Sequence, residues 1–158
     1  MIRLHMDAPT GLTLDIAGKA TMVEAPTVER TAIERVEQGA RVIRMDLRDC
    51  EVLDSTFSGT LLGLKRRLDA IGGELVLVSP SPCVLEVLRL MGLEDFYSID
   101  VAERVGGPWQ PVTIVRPETD DLKRLILESH QLLSDVPGPA GNEFRSVVEE
   151  LRRPSPLN

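Results

Sequence analysis

The tetrapeptide Leu75-Val76-Leu77-Val78, set between Gly72-Gly73 and Ser79-Pro80-Ser81-Pro82, constrains this chain more than any other stretch. A continuous apolar run of this kind has no polar face to show to water. It predicts a short strand covered on both sides, as at the centre of a sheet with helices packed on it. The flanks supply those helices. Residues 54 to 70 open on the capping-type cluster Asp54-Ser55-Thr56, and Phe57, Leu61, Leu64 and Leu68 recur at helical spacing. After Pro82, Val84, Val87, Leu88 and Met91 form an i, i+3, i+4, i+7 face, and Gly92 ends it.

The pattern continues on both sides. Leu12, Leu14 and Ile16 alternate with Thr13 and Asp15, a period of two that predicts a strand with one buried face. Ile2 onward is a second candidate strand, broken from the first by Pro9 and Gly11, and Gly18 punctuates the pair. Pro26 to Gln38 is helical, with Val28, Ala32, Ile33 and Val36 on one side. Arg41 to Leu47 predicts a strand, residues 48 to 53 a loop, and Phe96 to Ile99 a short edge strand. Strands alternating with helices imply an α/β fold: a mixed open sheet of about four or five strands with helices packed on it. The later strand–helix–strand crossovers are expected to be parallel and right-handed. At 158 residues and 42% hydrophobic the chain can bury one such core.

The remainder has a different character. Gly106 to Pro117 reads as a connector. Glu118 to Ser134 carries Leu122, Leu125, Ile126, Leu132 and Leu133 on one side, and Thr119, Asp120 and Asp121 favour its N-terminus. Residues 137 to 141, Pro-Gly-Pro-Ala-Gly, break it, and Asn142 to Arg152 restarts with Phe144, Val147, Val148 and Leu151. The expected organisation is a sheet domain over 1–105, a connector over 106–117 and a C-terminal helical hairpin over 118–153. The hairpin is too small to fold alone. Its apolar faces must pack on the sheet domain, on each other or on a second copy.

Composition narrows the function. Eighteen Lys and Arg against 25 Asp and Glu give a net charge of -7, and that sign disfavours nucleic acid as a partner. Aromatics at 3% argue against a base-stacking platform. No apolar run approaches membrane-spanning length, so no direct membrane role is expected. The opening MIRLHMDAPT lacks an apolar signal stretch. Two cysteines, Cys50 and Cys83, make no disulfide framework and read as small buried hydrophobes, which suits a cytoplasmic setting. Two cysteines with His5 and His130 offer no zinc spacing, so no metal or cofactor is expected. No nucleophile, base and orienting group can be placed together, so the chain does not read as an enzyme. Asp46 and Asp49 read as solvated carboxylates near a strand end, and Lys65-Arg66-Arg67 as the wet side of a helix.

Asp54-Ser55-Thr56-Phe57-Ser58-Gly59 is the segment best placed to carry a function. It lies where the chain enters a helix N-terminus, whose unpaired N–H groups and positive dipole end favour an anion. A phosphate on a hydroxyl here would be well held and would add about -1.5 to -2 charge. The same residues are equally competent as ordinary helix caps.

Several stretches in order carry a resemblance: Leu14-Asp15-Ile16-Ala17-Gly18, Ile43-Arg44-Met45-Asp46-Leu47, Leu53 to Gly59, Gly72 to Pro82, and Met91-Gly92-Leu93-Glu94-Asp95-Phe96. From about Leu12 to Ile99 the chain resembles the STAS domain, the family of bacterial anti-sigma factor antagonists. The resemblance implies a phosphoacceptor hydroxyl directly after the Asp of the loop motif, which is Ser55, with Thr56 as second choice. It implies partner docking around Thr21, Asp54, Ser55, Thr56, Phe57 and Ser58. The implied partners are an anti-sigma factor with serine kinase activity, which releases the antagonist on phosphorylating it, and a serine phosphatase that resets it. The alternative within the same family is a non-switching scaffold subunit of a stress-sensing assembly or of a lipid ABC transporter complex. The chain departs from the family pattern at Phe57, where many members carry glycine, and at Thr21, where an acidic residue is frequent. The hairpin from Glu118 lies outside the minimal domain, and self-association as a homodimer is one expected use of it.

Overall fold

In a computed structural model, which describes residues 1–7 and 9–154, thirteen elements follow one another. They are β1 (Ile2–Asp7), β2 (Gly11–Ile16), β3 (Gly18–Ala20), α1 (Ala25–Glu37), β4 (Val42–Asp46), β5 (Cys50–Leu53), α2 (Ser55–Ala70), β6 (Glu74–Val78), α3 (Pro82–Leu90), β7 (Ser98–Asp100), β8 (Gln110–Val112), α4 (Thr119–Ser134) and α5 (Pro139–Arg152). The main sheet has six strands in the order β7-β6-β4-β2-β1-β8. Pairings β2–β4, β4–β6 and β6–β7 are parallel; β1 is antiparallel to both β2 and β8. This is the mixed α/β sheet the alternation implied, with one strand more than the expected four or five. The extra strand is β8, which the stretch expected to be a connector adds beside β1.

The period-two alternation sorts the sheet into two faces. Ile2 lies opposite Ile16, Leu4 opposite Leu14, Leu14 opposite Met45 and Met45 opposite Leu77. These residues are buried with Phe57, Leu61, Leu64 and Leu68 of α2 and Val28 and Ala32 of α1 in one hydrophobic core. The intervening residues form a polar second face, and it is covered too: Thr13 and Asp15 are 2% and 1% exposed, so β2, expected to bury one face, buries both. Arg3 lies opposite Asp15 and bonds to it, and Arg104 reaches both Asp15 and Asp49. The Arg3 guanidinium stands 5.1 Å from the centre of the Trp109 ring. The chain after β7 supplies Arg104 and Trp109 and so covers this side. At β6 even the second face is apolar, and Leu75, Val76, Leu77 and Val78 are all buried.

Further readings of the sequence are corrected. Residues 50–53, expected as loop, form β5, which pairs in parallel with β3 as a separate two-stranded sheet. Asp46 is not solvated: it is 2% exposed and holds Arg48 at 2.8 Å. Cys83, expected to be buried with Cys50, is exposed in the first turn of α3, because helix position rather than residue type decides which side it faces. The last helix begins at Pro139 rather than Asn142, since proline suits the first turn of a helix.

The hairpin packs on the sheet domain and on itself. Helix α4 lies along α2, and α5 lies along α4. Leu125, Leu133, Val136 and Val148 are buried there, whereas Val147 and Leu151 of α5 remain exposed.

Candidate functional site

Strands β3 and β5 run side by side in parallel, with Ala20 opposite Leu53. Their next residues, Thr21 and Asp54, therefore emerge together. The Asp54 N–H donates to the Ala20 carbonyl at 3.1 Å, and the Met22 N–H donates to Asp54 Oδ2 at 2.7 Å. Asp54 is the N-cap of α2, with extended backbone and Oδ1 accepting the Phe57 N–H at 2.8 Å. One carboxylate thus fastens the loop after β3 and the start of α2. The Thr21 hydroxyl donates to Glu24 Oε2 at 2.6 Å, as does its backbone N–H at 3.0 Å. A carboxylate, that of Glu24, stands at Thr21 although the residue itself is neutral.

Ser55 occupies the first position of α2 and is half-buried. Thr56, Phe57 and Ser58 are buried, at 4%, 0% and 0% exposure. The Phe57 ring belongs to the main core, and the Ser58 hydroxyl donates to the Asp54 carbonyl at 2.8 Å. Of the six residues assigned to the site, the structure brings Thr21, Asp54 and Ser55 together at the surface. It turns Thr56, Phe57 and Ser58 inward, where they seat α2.

Two further residues were beyond the reach of sequence reasoning. Glu24 carries no motif. His130 lies 75 residues from Ser55, yet its Nε2 is 3.1 Å from Ser55 Oγ. His130 Nδ1 is 2.7 Å from the Ile126 carbonyl, which can only accept, so Nδ1 carries the proton. In the neutral imidazole Nε2 is then the acceptor, and the Ser55 hydroxyl donates to it. The imidazole meets the Phe144 ring edge-on at 5.7 Å between centroids.

A charged cleft of about 740 Å³ lies between α1, α4 and the chain leading into α4, with Arg67 of α2 at its wall. Glu29, Arg30, Arg116, Arg124 and Glu128 also line it. Burial pushes the Glu29 carboxyl above its ordinary range against the opposing pull of Arg67. Among the described residues no three His, Cys, Asp or Glu side chains form a metal cluster, and no helix is long and apolar enough to cross a membrane.

Known proteins resemble this chain in sequence and in fold. The chain is 30% identical over 96 residues to the anti-sigma-B factor antagonist of Bacillus subtilis (strain 168), a match covering 61% of this chain and 86% of that protein. Its fold is similar to the anti-sigma factor antagonist SpoIIAA in its unphosphorylated form, with a TM-score of 0.58 and 22% identity over 64% of this chain and 89% of that one. The Bacillus cell fate determinant SpoIIAA in its phosphorylated form gives a TM-score of 0.55 and 20% identity, covering 64% of this chain and 92% of the other. The sequence profile of the STAS domain matches residues 4–106, from β1 to the chain that follows β7. The chain belongs to the STAS domain family.

Proposed function

We propose that this protein is an anti-sigma factor antagonist that binds an anti-sigma factor/serine kinase and is released when Ser55 is phosphorylated. The observation that carries the reading is the position of Ser55. Ser55 is half-buried whereas Thr56 is 4% exposed, and it stands at the first position of α2, beside the loop that β3 delivers. Ser55 is accordingly preferred to the buried Thr56. The relative's name as an anti-sigma-B factor antagonist supports the same role. So does the existence of SpoIIAA in both unphosphorylated and phosphorylated forms.

The chemistry is that of a charge switch. A phosphoryl group would place about two negative charges near the carboxylates of Asp54 and Glu24, on a protein already at -7. An acidic or closely packed partner surface that tolerates a neutral hydroxyl would be repelled. The antagonist performs no chemistry itself in this cycle; the kinase adds the phosphate and a serine phosphatase removes it.

One observation favours the second reading, a non-switching scaffold subunit of a stress-sensing assembly or lipid ABC transporter complex. The Ser55 hydroxyl is already engaged by His130. Affinity capture of the tagged protein, with mass spectrometry of partners and of the Ser55 peptide, separates the two. Co-recovery of a kinase-like ATPase with phosphate on part of Ser55 is expected. Ser55→Ala should retain that partner constitutively and Ser55→Asp should lose it. If both variants retain it as the parent does, the switch is refuted.

A further inference from the structure

The C-terminal hairpin stands over Ser55, and the contact between α2 and α4 is made at backbone distance. A Cβ added to Gly59 would lie 2.5 Å from Ser129 Cβ and 2.6 Å from Ser129 Cα. One added to Gly63 would lie 3.2 Å from Leu132 Cδ1. The two glycines are one turn apart on α2, so α4 fits along a groove that any side chain would fill. His130 follows Ser129 directly. Ser55 precedes Gly59 by four residues, hence one turn nearer the N-terminus on the same face. The imidazole is thereby set on the Ser55 hydroxyl, 8% exposed, with its tautomer held by Ile126 and its ring backed by Phe144.

We propose that the hairpin is an intramolecular latch on the phosphorylation site, with His130 as its pin: the closed hairpin and a phosphoryl group on Ser55 exclude each other. The inference deepens the reading of Ser55 as phosphoacceptor and rests on it for its biological meaning. The reason is steric. A phosphoryl group places phosphorus and three oxygens around Oγ, on the side where Nε2 now stands at 3.1 Å. The ring is tied to the Ile126 carbonyl and backed by Phe144, so a phosphoryl group on this side of Ser55 is accommodated by moving α4 off α2 rather than by turning the imidazole aside. Linkage makes the coupling reciprocal: phosphate opens the hairpin, and the closed hairpin disfavours phosphorylation. The tether permits this movement. Strand β8 stays paired with β1, and Thr27 on α1 holds Val115 through its backbone N–H at 3.1 Å, so the chain is anchored just ahead of α4.

The test uses the full chain and needs no kinase. Phosphoserine is placed at Ser55 during translation by codon suppression, and hydrogen exchange is followed by mass spectrometry. Amides of α4 and α5 are expected to exchange at least about tenfold faster in the phosphorylated chain, while β4 and β6 are unchanged. Unchanged protection of α4 would overturn the latch, and so would loss of protection throughout the sheet. Gly59→Ala gives an independent arm without phosphate. Alanine suits the middle of α2 but drives a methyl group into the Ser129 backbone. The same loss of α4 protection is expected, and a hairpin that stays closed in this variant also refutes the mechanism. Whether Ser55 is phosphorylated in the cell is read separately from its peptide, so failure of the switch and failure of the latch give different results.

Discussion

Asp54→Ala removes two hydrogen bonds, one local to the start of α2 and one that ties Asp54 to Met22, 32 residues earlier in the chain. The first is the cap: Oδ1 accepts the Phe57 N–H at 2.8 Å, and losing such a cap costs about 1 kcal/mol. The second is Oδ2 to the Met22 N–H at 2.7 Å. Bonds to an ionised group are worth about 1.5–3 kcal/mol, but this N–H can rehydrate once freed, so about 1 kcal/mol is the better figure. The total is about 2 kcal/mol, or roughly 4–8 °C in Tm for a chain of this size. Urea denaturation of the full chain measures it, as a lower midpoint at unchanged m. Asp54→Asn is the internal control. Its carbonyl oxygen keeps the cap, while its amide group cannot accept from Met22, so about half of the loss should remain. An Asp54→Ala protein within about 0.5 kcal/mol of the parent would mean that neither bond contributes as its geometry requires.

Two further expectations follow from burial. Glu29, which faces Arg67, Glu128 and Arg124, has its carboxyl raised above the ordinary 4.5 by desolvation. The folded state therefore holds this proton more tightly than the unfolded one. Its contribution is fully present below the unfolded value and is lost as pH rises through the folded one, so stability should fall across that interval. Glu29→Gln should abolish that step in thermal melts recorded against pH, and a step of the same size in the variant would refute the assignment. Cys83 should react promptly with a thiol reagent in the native protein. Cys50, 1% exposed and pushed up to about 11 by burial, should react only on unfolding; two fast thiols would contradict this packing.

What the sequence determined by itself is everything that depends on local period and on capping. The alternation in β2, the continuous run in β6 and the stripes of α1, α2 and α3 each write burial into neighbouring residues, so their elements can be read without the fold. Asp54 announces itself as an N-cap for the same reason: a cap is satisfied within three residues. The segments that were missed are those with no local period. Strand β5 buries only Cys50 and Leu53 at its ends, with Glu51 and Val52 exposed, so it shows neither alternation nor a run. Strand β8 is three residues around a proline and exists because β1 offers it an edge. The site was legible as a loop motif but not as an arrangement. Only the parallel pairing of β3 with β5 sets Thr21 and Glu24 beside Asp54. Only the close approach of α4 at Gly59 and Gly63 brings His130 to Ser55. Such contacts join residues far apart in the chain, and their energies come from the packing of whole elements, which no local stretch encodes.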